Sequence, residues 1–394
     1  MGWFRGLMLS LPAKFEVFGA VRIYDVSRVL SLDGRPKSRP TNLVYVDRGE
    51  LEDAAFRTVI VVPVKDEDLL TLENVLRSIP TESPVVVVSA STREPVDRFS
   101  NEVELARLIS RSLQRDIAIV YQFDPAWSEA LSGTPLESMV GASGRVRKGK
   151  GEGMLLGFIV AAALGADFVG YVDSDNYVPG SALEYSWIYY SALSRATSSY
   201  SMVRIVWPYK GKLAASDMYL RKRGRVSTIT NGVLNYTLSI YKRIETDIIK
   251  TGNSGEQALT VKLGMEMNWG SGFAVETYQL VWMLENCYLG LQAGKCPIAP
   301  DYIEVRQVSP LNPHIHAERG DEHIAEMTAV SLGTIFHSSL ASEEVKSRIL
   351  DQLKSLGLAE EPPKPSTYRP AGTDPKKVFA SFIAESSDSY YFAV

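Results

Sequence analysis

Hydrophobic and polar positions along the chain follow two rhythms that alternate between Arg57 and Asp173. Arg57–Lys65 (RTVIVVPVK), Pro84–Ala90 (PVVVVSA), Ile117–Gln122 (IAIVYQ) and Phe168–Val172 are short β-branched or apolar runs. Such runs read as buried strands. Between them, Asp68–Ser78 repeats Leu69, Leu72, Val75 and Leu76 at helical spacing, and Asn101–Leu113 repeats Val103, Leu105, Leu108, Ile109 and Leu113. Met154–Leu164 is the next predicted helix. Strands that alternate with helices call for a parallel sheet, right-handed crossovers and helices on both faces.

The flanking regions carry weaker patterns. Residues 14–47 read as a strand-rich lead-in, broken by a turn region at Asp33–Pro40. Residues 124–150 are loop-like. Ala182–Leu193 predicts an aromatic-rich helix (Tyr185, Trp187, Tyr189, Tyr190), with Trp187, Tyr189 and Tyr190 more in keeping with core than with a sugar platform. Ser201–Trp207 predicts a strand, residues 209–231 a basic polar stretch, and Gly232–Lys242 a helix. Thr251–Glu256 reads as a turn into another helix, and Gly270–Thr277 as the lead into a helix reaching Leu289. Residues 302–308 predict a strand, and Glu322–Leu340 and Glu343–Leu356 predict helices. The Pro-rich stretch at 360–370 reads as a linker to a polar tail whose final aromatics could dock on the core or on a partner. The expected organisation is an α/β part at 1–180, a second part of the same unit at 181–358, and linker and tail at 359–394.

Composition narrows the class. The 394 residues are 45% hydrophobic and 22% charged, with a net charge of −4. A general nucleic-acid binder would be basic, so no nucleic-acid partner is expected. Cys287 and Cys296 give neither a disulfide framework nor metal-ligand spacing, and the expectation is two small buried hydrophobes in a reducing compartment. The N-terminal MGWFRGLMLSLPAKF lacks the long apolar core of a signal peptide. Met154–Val172 approaches spanning length but holds Asp167 and splits into a helix and a strand. No membrane contact and a cytoplasmic location are expected.

The chemistry concentrates where the last strand of the alternating block ends, at Val172-Asp173-Ser174-Asp175-Asn176. Open α/β sheets bind ligands at the carboxyl ends of their strands. Two carboxylates there can hold a divalent cation, which in turn can hold a diphosphate; an ordinary Asx turn is the plainer alternative. Gly149-Lys150-Gly151-Glu152-Gly153 opens a helix, and bare amides beside Lys150 suit a phosphate, although the spacing is not that of a Walker A loop. The chain has four histidines. His323 and His337 read as ordinary polar residues on helix faces, while spacing does not choose between His314 and His316 as a metal ligand. Gly224-Arg225-Val226-Ser227 suits an anion-binding loop.

Together these segments resemble mannosyl-3-phosphoglycerate synthases, which are retaining glycosyltransferases of the A-type fold. The matching pieces are Phe18-Gly19-Ala20-Val21, Val62-Pro63-Val64-Lys65, the Gly149–Met154 run, Val172–Tyr177, Gly224–Ser227, Thr251–Glu256, Leu311–His316 and Glu361–Pro365, in family order. Two departures are Ser174, where the family often has Ala, and Thr228, where an acidic residue is common. The related glucosyl-3-phosphoglycerate synthases share Gly-Lys-Gly-Glu, Asp-Ser-Asp and a His followed eleven residues later by Met. His316 and Met327 have that spacing, which selects His316.

The resemblance implies an α/β Rossmann-like, mostly parallel sheet with helices on both faces and a C-terminal acceptor region. It implies mannosyl transfer from GDP-mannose to 3-phosphoglycerate, as a step toward the compatible solute mannosylglycerate. Asp175 and His316 would hold a divalent cation, Mg²⁺ first, with Mn²⁺, Co²⁺ or Zn²⁺ as alternatives. Pro63, Lys65, Glu67, Ser89, Lys150, Glu152 and Asp173 would bind the donor. Arg225, Ser227, Asn253 and Ser254 would bind the acceptor, and Glu276 would join Asp173 and Asp175 at the reacting centre. A homodimer fits the resemblance. A glucosyl donor, a sugar nucleotidyltransferase and a non-catalytic sugar-nucleotide sensor are the competing readings.

Overall fold

A computed structural model describes residues 5–34, 41–207, 209–214, 217–222, 225–317, 321–358 and 361–392. The lead-in holds β1 (Gly6–Ser10), β2 (Phe15–Phe18), β3 (Val21–Ser31), β4 (Leu43–Asp47) and α1 (Arg48–Phe56). The alternating block follows as β5 (Thr58–Val64), α2 (Leu69–Ser78), β6 (Val85–Ser89), α3 (Arg98–Leu113), β7 (Ile117–Tyr121), α4 (Ala126–Leu131), α5 (Lys150–Ala163) and β8 (Phe168–Tyr171). Beyond it come α6 (Pro179–Ser194), β9 (Tyr200–Ile205), β10 (Tyr209–Ala214), β11 (Asp217–Lys222), α7 (Arg225–Lys242), β12 (Gln257–Thr260) and α8 (Val261–Glu266). The rest is β13 (Trp269–Gly270), α9 (Ala274–Leu284), β14 (Ile303–Ser309), β15 (His314–Ala317), α10 (Asp321–Phe336), α11 (Glu343–Ser355), β16 (Thr367–Tyr368), α12 (Pro375–Glu385) and β17 (Ser389–Phe392).

The large sheet runs β17-β7-β6-β5-β8-β12-β9-β14-β3-β1-β4, with β2 beside β3. The expected block is parallel throughout, in the order β7-β6-β5-β8. Alternation along β5 shows how the sequence fills two layers. Val59 and Val61 point into one core with α5, while Ile60, Val62 and Val64 point into the other with α2 and α6. The chain leaves β5 for β6 and β7 on one side, then returns through α5 to place β8 on the other. That reversal opens a crevice at the carboxyl ends of β5 and β8, the usual ligand position in such sheets.

Several expectations are corrected. Thr251–Glu256 runs into β12, not directly into a helix; β12 lies antiparallel between β8 and β9. Its four residues are too few to show a period. Helix α5 begins at Lys150 and α7 at Arg225, so both glycine-flanked basic motifs lie in first helical turns. Cys287 and Cys296 are buried as expected but are joined in a disulfide, with their Cα atoms 4.6 Å apart. The polar tail folds onto the core: β17 pairs antiparallel with β7, and Phe382 of α12 stacks on buried Trp127 with ring centroids 3.7 Å apart. Tyr185, Tyr189 and Tyr190 are core residues. No helix among the described residues is long and apolar enough to cross a membrane.

Candidate active site

The Asp-x-Asp turn is closed by its own next residue. Asn176 Nδ2 donates to the Asp173 carbonyl at 2.9 Å and to Glu256 Oε1 at 3.3 Å, while its Oδ1 lies 2.8 Å from His314 Nδ1. His314 also stacks on Trp207 and is buried. Its Nδ1 is therefore taken up in holding this turn, and both His314 and the half-buried His316, two residues on, line the cavity. The Leu311–His316 segment is positioned from below by Glu184, which accepts from the backbone N–H groups of Leu311 and Asn312 at 2.6 and 2.8 Å. Burial raises the Glu184 carboxyl, opposed by those bonds.

A cavity of about 1090 Å³ lies over the carboxyl ends of β5 and β8. Pro63, Lys65 and Glu67 line it from the end of β5. Asp66 between the last two adopts φ 56°, a left-handed conformation held by hydrogen bonds from the Thr92 N–H and hydroxyl to Asp66 Oδ1. Asp173, Asp175 and Lys150 line it from β8 and α5; Glu276, Ser227, Asn253 and His316 line it from the second half of the chain.

At its floor, Lys150 Nζ lies 2.9 Å from Asp173 Oδ1 and 3.0 Å from Glu276 Oε1. Burial opposes the Lys150 charge, but Asp173, Glu276 and Glu256 outweigh it and push its pKa well above the ordinary lysine range. Gly255 makes this cluster possible, since a Cβ there would stand 2.5 Å from Lys150 Nζ and 2.6 Å from Asp173 Oδ2.

Three expected contact residues stand behind the wall. Ser89 is buried, within reach of the Ser91 N–H and the Glu102 carboxylate, and does not line the cavity. Glu152 is 2% exposed and accepts from the Gly272 N–H at 2.9 Å and the Tyr368 hydroxyl at 2.7 Å. It fixes the start of α5 without facing the cavity. Ser254 is fully buried and donates to the carbonyl oxygens of Ile205 and Glu256. The side chain of Arg225 lies outside the described residues. His323, expected on an ordinary helix face, lines the cavity edge-on to Phe273, whereas His337 bonds the Pro362 carbonyl.

Arg204 escaped the sequence reading. It is fully buried, and its guanidinium donates to the carbonyl oxygens of Thr251 and Glu276 and to the side chains of Gln257 and Gln279. Burial lowers its pKa to about 10, with Glu276 acting the other way. It ties the Thr251–Glu256 turn to the start of α9. A single arginine inside an otherwise largely apolar strand was the signal available.

Among the described residues no three His, Cys, Asp or Glu side chains converge as a complete metal cage. Asp175 and His316 share the cavity as one hard oxygen donor and one imidazole. This set fits a divalent cation whose remaining positions are filled by water and substrate phosphate.

A Rossmann-like α/β sheet carrying acidic, lysine and histidine side chains around one crevice at its switch point matches the arrangement expected of an A-type glycosyltransferase. The family model for mannosyl-3-phosphoglycerate synthase (osmo_MPGsynth) matches residues 11–382. A mannosyl-3-phosphoglycerate synthase from Pyrococcus furiosus is 38% identical over 375 residues, covering 92% of this chain and 94% of that relative. The chain belongs to the mannosyl-3-phosphoglycerate synthase family. Crystal structures of glucosyl-3-phosphoglycerate synthase from Mycobacterium tuberculosis also match. One, with phosphoglyceric acid, has a TM-score of 0.48 and 19% identity, covering 78% of this chain and 88% of that one. Another, with Mn²⁺, uridine diphosphate and glucosyl-3-phosphoglycerate, has a TM-score of 0.47 and 18% identity, covering 88% and 98%.

Proposed function

We propose that this chain transfers mannose from GDP-mannose to 3-phosphoglycerate with retention of the anomeric configuration. The observation that carries the reading is one cavity joining the Asp-x-Asp turn, Lys150 and His316 to Ser227 and Asn253. The first group suits a nucleotide diphosphate and the second a phosphorylated acceptor.

Asp175 and His316 would hold the divalent cation. When bound, the cation acts as a Lewis acid that offsets charge on the departing diphosphate. The Lys150 ammonium, in the first turn of α5, would face the same negative charge. Asp173 and Glu276 keep Lys150 protonated and in place, and Glu276 would bind sugar hydroxyls. Ser227 donates to the Asn253 carbonyl at 3.3 Å, and Asn253 Nδ2 to Thr277 and Ser331, so the acceptor side is built from cross-linked turns. Retention follows if the acceptor hydroxyl attacks the face that the diphosphate leaves.

A donor competition tests the reading. Purified protein receives Mg²⁺, 3-phosphoglycerate and equal GDP-mannose and GDP-glucose, and products are read by mass and NMR. The expected product is α-mannosyl-3-phosphoglycerate, abolished by chelator and by Asp175→Ala. Predominant glucosyl product would assign the sister activity, and product formation that survives chelation would remove the cation from the reading.

A further inference from the structure

Among the described residues, the cavity lining carries more carboxylates than lysines. There are six carboxylates and four lysines, Lys65, Lys148, Lys150 and Lys364. Lys150 is engaged by Asp173 and Glu276. Substrates that bring a diphosphate, a phosphate and a carboxylate into such a cavity need further cations.

Lys364 is the only one of the four that comes from the C-terminal arm, and the arm is fastened on both sides of it. Upstream, the Pro362 carbonyl accepts from His337 Nε2 at 2.8 Å, and Pro363 packs so closely on α10 that a Cβ at Gly333 would stand 2.1 Å from its carbonyl oxygen. Downstream, the Ser271 N–H donates to the Ser366 carbonyl at 2.9 Å, and Tyr368 pairs with Trp269 while bonding Glu152. Between these anchors the sequence Pro362-Pro363-Lys364-Pro365 has little freedom. Proline fixes its own φ and drives the residue before it into extended conformations. Lys364 is thereby held in a stretched strap along the cavity wall, with no ion pair among the described residues.

We propose that the Pro-Pro-Lys-Pro strap is part of the active site and that Lys364 binds a phosphate group of a substrate. The inference rests on the proposed transfer reaction for its ligand class. The phosphate is either the donor's diphosphate or the acceptor's monophosphate, and the two sources are separable.

The test compares wild type, Lys364→Gln and Lys364→Arg. Calorimetric titration with GDP and Mg²⁺, and separately with 3-phosphoglycerate, is run beside steady-state kinetics and thermal melts. Loss of one charge-assisted contact weakens binding about tenfold. The expected result is a rise of about that size in Kd and KM for one ligand in Lys364→Gln. The other ligand stays within twofold, the melting curve is unchanged, and Lys364→Arg recovers most of the affinity. A GDP effect assigns the diphosphate, and a 3-phosphoglycerate effect assigns the acceptor. Equal binding of both ligands by wild type and Lys364→Gln overturns the proposal. So does a fall in kcat with neither affinity changed. A wild type that binds neither ligand instead overturns the substrate reading beneath it.

Discussion

The ammonium of Lys150 sits 2.9 Å from Asp173 Oδ1, joining the first turn of α5 to the turn after β8 across 23 residues of sequence. Glu276 completes the cluster from α9 and is 4% exposed. The lysine is the countercharge that lets two carboxylates share the floor of one cavity.

Replacing Lys150 by Met leaves those carboxylates facing each other. Breaking a largely buried ion pair costs about 3 kcal/mol, and urea denaturation of Lys150→Met at pH 7 is expected to show a loss of that size. The pKa of Lys150 is raised on folding. Its contribution is therefore complete below the unfolded value of about 10.4 and fades as pH rises through the folded value. The stability gap between wild type and variant should stay constant from pH 6 to pH 9 and shrink only in stronger alkali.

Gly255→Ala places a methyl group against Lys150 Nζ and Asp173 Oδ2. Both atoms end movable side chains, so the fold adjusts by displacing the cluster. A misplacement of about 1 Å can cost 100-fold in rate. Circular dichroism and melting are expected to remain near wild type while kcat falls by about that factor; an active Gly255→Ala enzyme would show that the cluster does not need this geometry.

Glu102 is buried, with Ser91 Oγ 2.6 Å from Oε1 and no partner for Oε2. Desolvation raises its pKa, and the hydroxyls of Ser89 and Ser91 oppose the rise. A carboxyl raised on folding favours the native state below its unfolded pKa and costs stability as pH climbs through the folded value. Glu102→Gln lacks this cost, so its stability relative to wild type should improve between pH 4 and pH 8 in paired denaturant titrations. A difference that stays flat would mean that Glu102 titrates as it does in the unfolded chain.

Tyr368→Phe removes the hydroxyl that donates to buried Glu152. An unpaired buried acceptor costs about 1–3 kcal/mol. The expected loss is near 2 kcal/mol by that principle, with reduced activity because Glu152 also holds Gly272 beside the start of α5. Wild-type stability in Tyr368→Phe would show that the arm is not anchored through this bond.

Sequence alone carried the parallel block, because β5, β6 and β7 are continuous apolar runs whose period and length need no distant partner to be read. It also carried the Asp173–Asn176 turn and the glycine-flanked Lys150, since strand ends and helix starts are local events. Tertiary structure decided which neighbouring side chains face the cavity. Pro63 and Lys65 reach it while Ser89 is turned inward, and Glu152 and Ser254 are spent on backbone groups behind the wall. It also decided the short strand β12, the Cys287–Cys296 disulfide, the buried Arg204 and the docking of the tail. Each depends on atoms brought together from distant parts of the chain, by packing and hydrogen-bond satisfaction that no local period records.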